Sequence, residues 1–357
     1  MFNILLISLH DIGTYGHRSI SSSLKRNGFL VNNVFFRSNS VYRDATPVSE
    51  IELQALSDLA KCLRPNLIGI NVHSSFGHPL AKQVVLNIKS KLDVPIVLGG
   101  VHPTMLPRYC LEHTKADYVC IGEGEESMVE LCQYMQTGED VDIPGIISRV
   151  TSRYSSRMPP QDIDRLPFQD FGDDNKYSIL SDGTIIEGDP LLRGSVYHTK
   201  ASRGCPFHCS YCSVAQLRSL SKSGEFYRLR SVERVIEEIY QFIELNDKCT
   251  HLAFGDDTFP YKKTWVKEFS AQYKKKIGIP FSIWLNPDTT KESNIYLLKS
   301  AGLRSAVIGI ESASEMTYFR PTEPYQNMKY EEHMILSWTI HGRVIQNWRT
   351  HLTWSHS

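Results

Sequence analysis

The chain lacks any excess of charge. Its 357 residues carry 39 basic and 39 acidic side chains, a formal net charge of zero. The electrostatic footprint of a nucleic-acid partner is therefore missing, and none is expected. No run approaches the roughly 20 apolar residues of a membrane span, so no span is expected either. No internal repeat or low-complexity tract is visible. The first apolar run, Ile4-Leu5-Leu6-Ile7, is short and has no basic leader, so no export signal is expected. Eight cysteines without one point to a reducing cytosol rather than to a disulfide framework. What remains is 41% hydrophobic residues, enough for a sizeable core, in a length that suits about two domains.

One stretch organises the rest: Cys205-Pro206-Phe207-His208-Cys209-Ser210-Tyr211-Cys212, three cysteines at spacing C-x3-C-x2-C. It follows a strand-like run, Val196-Tyr197-His198-Thr199, and a turn at Arg203-Gly204. Thiolates are soft donors that suit iron–sulfur clusters, which usually take four cysteines. Three on one tight loop can hold three irons of a [4Fe–4S] cube and leave the fourth open to a small molecule. A zinc ribbon needs a second cysteine pair, whereas Cys249 follows alone. His208 reads as a spacer. Cys62, Cys110, Cys120 and Cys132 have no metal-ligand spacing and read as buried small hydrophobes.

The cysteine loop closely resembles that of the radical S-adenosylmethionine (SAM) superfamily. The resemblance implies that Cys205, Cys209 and Cys212 hold a [4Fe–4S] cluster whose open iron chelates the amino and carboxylate groups of SAM. One electron, from a flavodoxin- or ferredoxin-type donor, then cleaves SAM to a 5′-deoxyadenosyl radical.

Ahead of the loop, strands and helices alternate. Strands are expected at 2–9, 29–36, 67–72, 95–98 and 116–121, and helices at 19–27, 49–63, 79–91 and 127–135. Alternation of this kind predicts a doubly wound parallel sheet, with ligands outside the carboxyl ends of its strands. The loops there are His10–Gly16, His73–Phe76, Gly99–Thr104 and Gly122–Glu126. Three segments, Asn71-Val72-His73-Ser74-Ser75, Gly99-Gly100-Val101-His102-Pro103-Thr104 and Gly122-Glu123-Gly124-Glu125, resemble the cobalamin-binding domain found before many radical SAM cores. By that resemblance Ser74, Gly99 and Gly100 line the slot for the dimethylbenzimidazole tail. Ser8-Leu9-His10-Asp11-Ile12-Gly13 matches the His and Gly of the cobalt-ligating Asp-x-His-x-x-Gly pattern but has Ser in place of Asp. A ligating His normally has a carboxylate or carbonyl partner, so the favoured reading is no histidine ligand to cobalt. His10 as ligand is the alternative, and His17 lies nearby without the pattern.

Residues 136–195 read as a linker, with a hairpin turn at Asp182-Gly183. Asp162-Ile163-Asp164-Arg165-Leu166-Pro167-Phe168 resembles the link between the two domains in this family. Beyond the cysteines, helices are expected at 232–245, 264–276 and 293–301, and strands at 251–254, 281–285 and 306–310. The repeating unit predicts a (β/α) barrel, whose chemistry gathers at the carboxyl ends of its strands. By resemblance, Asp256 and Asp257 take the place of the motif that accepts hydrogen bonds from the SAM ammonium, and a carboxylate suits that group. Glu311 and Ser312 resemble the fourth-strand motif near SAM, and Tyr211 holds the position that approaches the adenine.

The resemblance covers roughly residues 1–325. The family's further strands, with a Gly-x-Pro-Gly-Glu-Thr-like motif, are not found. The expected architecture is a cobalamin-binding, Rossmann-like domain at 1–135, the linker, an incomplete radical SAM barrel at 196–325, and a divergent tail at 326–357. The expected function is a cobalamin-dependent radical SAM enzyme acting on a small molecule. Its radical abstracts hydrogen from an unactivated carbon, with methyl transfer from methylcobalamin as the first choice of reaction. Two rivals stand beside it: a radical SAM enzyme without cobalamin, and a catalytically inactive cofactor-binding fragment.

Overall fold

Strand β1 (Asn3–Leu9) is buried along its whole length because its alternate side chains serve two cores. Ile4 and Leu6 face one, and Leu5, Ile7 and Leu9 the other. The computed structural model describes residues 1–37, 47–138, 142–150, 155–209, 211–221 and 224–308. Glu311, Ser312 and the tail at 326–357 lie outside the described residues.

From β1 the chain runs through α1 (Tyr15–Arg26), β2 (Leu30–Phe36), α2 (Glu50–Leu63), β3 (Leu67–Asn71), α3 (His78–Lys89) and β4 (Ile96–Gly99). Then come α4 (Val101–Met105), α5 (Pro107–His113), β5 (Tyr118–Cys120), α6 (Glu125–Thr137) and β6 (Ile146–Ser148). Helix α2 starts on a capping box: Ser49 accepts from the Glu52 amide, and Glu52 reaches back to the Ser49 amide. Leu53, Leu56 and Ala60 are its buried stripe, whereas Cys62, expected inside, is exposed. Helix α1 begins four residues before its expected start at Ser19, so the loop after β1 is short. The segment after Gly100, expected as loop, turns at once into α4 and, with Pro107 in its first turn, α5.

The sheet order is β6-β5-β4-β3-β1-β2-β7-β8, where β7 (Lys176–Ile179) and β8 (Ile185–Glu187) come from the segment read as a linker. They form an antiparallel pair turning at Gly183, and β7 lies parallel to β2. Helices α1 and α6 cover one face, and α2, α3 and α5 the other. The chain reverses direction across the sheet between β1 and β3, and such a switch point opens a crevice at the strands' carboxyl ends.

The second unit comprises β9 (Val196–Thr199), a small antiparallel pair β10 (Ser202–Arg203) and β11 (Arg228–Leu229) enclosing α7 (Ser213–Leu220), and then α8 (Val232–Leu245). It continues through β12 (His251–Phe254), α9 (Lys263–Lys276), β13 (Phe281–Leu285), α10 (Glu292–Ala301) and β14 (Leu303–Ile308). Among the described residues, strands β9, β12, β13 and β14 form a parallel arc, the (β/α) arrangement that the repeating unit predicts. Helix α8 buries Val235, Ile236, Ile239 and Phe242 against it. Each such side chain contributes about 1.5–3 kcal/mol by leaving water. Phe254, Phe269 and Phe281 meet edge to face at its centre.

Candidate active site

The carboxyl ends of the two sheets line a common cavity of about 490 Å³. From the first sheet come Asn71, Gly99 and Gly100, and from the second Thr199, Lys200 and Gly255. Deeper in, the cavity runs between the sheet and helices α1 and α6, past Leu6, Gly69, Val97, Ile20 and Met128. That slot is apolar and sits at the switch point between β1 and β3. The loop after β1 also reaches the second unit: a Cβ on Gly13 would stand 3.0 Å from the His198 ring.

Gly204, which leads into the cysteine loop, and Val214 and Leu217 of α7, which follows it, line the cavity, whereas the three cysteines are not among its lining residues. Gly204, with φ of +74°, lets the chain turn into the loop, and a Cβ there would meet the Phe226 carbonyl oxygen at 2.2 Å, so only glycine fits. Cys205, Cys209 and Cys212 are free and half-buried. Cys205 Sγ lies 3.6 Å from Thr258 Oγ1, the Cys212 amide donates to the Cys209 carbonyl at 3.0 Å, and Cys212 caps α7. Burial pushes the Cys205 and Cys209 thiols up from their ordinary value. They stay protonated until a metal takes the proton's place. Arg218 donates to the Cys205 carbonyl and pairs with His208 at 2.9 Å, so His208 braces the loop from its exposed side.

The two aspartates after β12 part company. Asp256 is buried and turned inward: its Oδ1 accepts from the Ala201 amide at 3.0 Å, the Ser202 amide at 2.6 Å and Ser202 Oγ at 2.5 Å. It fixes the chain between β9 and the cysteine loop. Burial pushes its carboxyl up to about 6. Asp257, one residue on, lines the cavity, and Tyr211 is 59% exposed.

Residues 5–132 match the family described as "B12 binding domain", and residues 199–330 match the "Radical SAM superfamily". The chain belongs to the B12-binding radical SAM proteins. Among curated relatives, this B12-binding radical SAM protein is 30% identical over 271 residues to an uncharacterized methyltransferase of Pyrococcus horikoshii, covering 72% of this chain and 55% of that one. It is 23% identical over 271 residues to an anaerobic magnesium-protoporphyrin IX monomethyl ester cyclase of Rubrivivax gelatinosus, covering 71% of this chain and 45% of that one. The chain thus spans about half the length of the curated relatives it matches. Among solved structures, the radical SAM methyltransferase TsrM of Kitasatospora setae, with cobalamin and a [4Fe–4S] cluster bound, shares the fold at a TM-score of 0.68 and 19% identity, over 87% of this chain and 61% of that one.

In this B12-binding radical SAM protein the three expected tail-slot residues differ in their surroundings. Gly99 lines the cavity with ordinary room around it, since a Cβ would meet only Cys120 Cβ at 3.8 Å. Gly100 also lines it, but its φ of +105° and a would-be Cβ 2.6 Å from Asn71 Oδ1 make it a requirement of the backbone. Ser74 Oγ is buried and has no hydrogen-bond partner among the described residues. Ser74 is not among the residues lining the cavity, whereas its neighbour His73 is. His10 takes a left-handed φ of 62°, and its amide donates to the Phe36 carbonyl at 2.9 Å. It is not among the residues lining the cavity, whereas His17 is.

Residues to which the sequence assigned no role also shape the site. Glu123, on the loop before α6, and Glu125, the first residue of α6, meet Arg203 from the other unit at 2.7 and 2.6 Å. Arg228 joins Glu123, and Arg203 also reaches Ser19 Oγ at 3.0 Å. A second buried clasp runs from Arg18 to both oxygens of Asp189, each at 2.8 Å. These ion pairs hold the two cavity walls in register.

Proposed function

We propose that the protein is a cobalamin-dependent radical SAM enzyme that functionalises an unactivated carbon of a small molecule, with methyl transfer as the reaction. The observation that carries this reading is the shared cavity, lined at one end by the apolar switch-point slot and at the other by Gly204, just before the three cysteines, and Val214 and Leu217 of α7, just after them. When bound, the cluster and SAM supply a 5′-deoxyadenosyl radical by one-electron cleavage, and methylcobalamin supplies the methyl group. Cys205, Cys209 and Cys212 hold the cluster, and Asp256 keeps their loop in place through the Ala201 and Ser202 amides. Asp257 faces the cavity, so of the aspartate pair it is the acceptor for the SAM ammonium. By resemblance Tyr211 is assigned to the adenine, and Glu311 and Ser312, outside the described residues, to the SAM site. Gly99 and Gly100 leave room for the cobalamin tail, and the unpartnered Ser74 Oγ, next to the lining residue His73, binds its polar edge. A flavodoxin- or ferredoxin-type protein of a reducing cytosol is the electron donor.

Anaerobic reconstitution with iron, sulfide and hydroxocobalamin, followed by dithionite and SAM, tests this. The wild-type chain should keep cobalamin through gel filtration and form 5′-deoxyadenosine, and Cys209→Ala should abolish that product. Product without retained cobalamin points to a radical SAM enzyme whose front domain holds no cobalamin. A cluster without product points to an inactive fragment.

A further inference from the structure

On the far side of the Gly99-Gly100 turn, three residues from three helical segments converge. His78 begins α3, His102 lies in α4 and Cys110 in α5. All are buried, at 8%, 5% and 0% exposure, and one donor atom from each lies within 4.8 Å of the other two. His78 Nδ1 stands 3.9 Å from Cys110 Sγ. A tetrahedral zinc with bonds of about 2.0 Å to nitrogen and 2.3 Å to sulfur sets those atoms ~3.5 Å apart, so little movement closes the site.

The second ring has a nitrogen to offer. His102 Nδ1 pairs with Ser75 Oγ at 3.0 Å, while its Nε2 is buried with no partner among the described residues. A metal-bound histidine typically presents one nitrogen to the ion and the other to a polar neighbour in this way. Packing alone leaves Nε2 orphaned, at a cost of about 1–3 kcal/mol. The Tyr109 ring, 5.3 Å from His78 and 6.4 Å from His102, walls one side. Two imidazoles and a thiol with no carboxylate form a borderline-soft donor set, which suits zinc and does not suit magnesium or calcium.

We propose that His78, His102 and Cys110 bind one zinc ion, separate from the cysteine loop. Three protein ligands leave a fourth position for water. The ion staples α3, α4 and α5 together behind the Gly99-Gly100 turn, which lines the cavity.

The test uses the full chain carrying Cys205→Ser, Cys209→Ser and Cys212→Ser, so that the loop thiols take no metal, and without added cobalamin. After loading with zinc and gel filtration, elemental analysis should find about one zinc per chain. Loading with cobalt(II) should give a thiolate-to-cobalt charge-transfer band in the near ultraviolet. Cys110→Ser should abolish that band, and Cys62→Ser, at an exposed cysteine, should leave it. His102→Ala should lower zinc affinity at least tenfold, and Ser75→Ala, which leaves the ligands in place, by 10–100-fold. A folded parent chain that retains no zinc overturns the proposal, whatever the variants do. Zinc retained equally by Cys110→Ser and His102→Ala, or a cobalt spectrum without a thiolate band, overturns it as well.

Discussion

The Arg203 guanidinium, placed just before the cysteine loop, lies 2.6 Å from the buried carboxylate of Glu125 in the opposite domain. Ser19 completes the contact, 2.7 Å from the same oxygen. The loop that carries Cys205 is therefore positioned against the cobalamin-binding domain through charge, not only through chain connectivity. Burial pushes Glu125 up, but the charge and hydrogen bonds of Arg203 and the Ser19 hydroxyl outweigh it and hold the carboxyl below its usual range.

Removing Arg203 alone strands that carboxylate. Arg203→Met should destabilise the chain by about 3–5 kcal/mol, the usual consequence of breaking a buried pair from one side. Adding Glu125→Leu should recover a good part of the loss, because the stranded charge goes too. Urea unfolding of the single and double variants measures the difference. A double variant as unstable as the sum of the two singles would show the pair to be independent packing residues.

His17 gives a pH signature in the cavity wall. Burial, then the neighbouring Arg18 charge, pulls its imidazole down to about 3. The unfolded chain titrates near 6.5, so below that pH it binds a proton that the fold does not. The contribution of His17 to stability is full above pH 6.5 and falls as pH drops toward 3, by up to ~1.4 kcal/mol per pH unit. His17→Gln should flatten the stability profile between pH 4 and 6. An NMR titration showing the His17 ring charging near pH 6 would contradict the assignment.

Asp256 has the opposite sign in nearly the same window. Its carboxyl is raised to about 6, by burial first, with the Ser202 and Ala201 hydrogen bonds opposing. The folded chain keeps a proton there that the unfolded chain has lost. This contribution is full below the unfolded value near 4 and is lost as pH rises through 6, amounting to about 3 kcal/mol. Asp256→Asn keeps an acceptor for both amides and removes the titration. Relative to this variant, the wild-type chain should gain stability as pH falls from 7 to 4, and parallel profiles would rule the titration out.

Short-range chemistry made much of the fold legible before any coordinates. The Ser49–Glu52 capping box, the apolar stripe from Val235 to Phe242 and the left-handed Gly302 after α10 each announce an element within a few residues of sequence. The cysteine spacing is legible for the same reason, since its three thiols share one loop. What the sequence hid depends on distance along the chain. Arg203 and Glu125 are 78 residues apart, so neither announces the other. His78 and Cys110 are 32 apart and lie on separate helices, so Cys110 reads as a small hydrophobe until the helices pack. Strands β7 and β8 carry ordinary strand signals, but pairing with β2 is a tertiary choice that local pattern does not encode. Asp256 and Asp257 are alike in sequence, and only the Ala201 and Ser202 amides decide which of them turns inward.

The orphaned hydroxyl of Ser74 separates a ligand role from a structural one. A buried polar group without a partner costs free energy in the unliganded fold. Ser74→Ala removes that cost, so the unliganded variant should be as stable as wild type or slightly more so. If the hydroxyl binds the cobalamin tail, the same variant should retain hydroxocobalamin about 5- to 10-fold less tightly, the worth of one hydrogen bond near 1 kcal/mol. Gly100→Ala is the contrasting case: with φ of +105° and a Cβ 2.7 Å from the Val72 carbonyl oxygen, it should lose stability with or without cobalamin. Thermal unfolding together with equilibrium dialysis of hydroxocobalamin distinguishes them. Ser74→Ala that loses stability and keeps full affinity would place Ser74 in the scaffold and move the polar contact of the tail elsewhere along the slot.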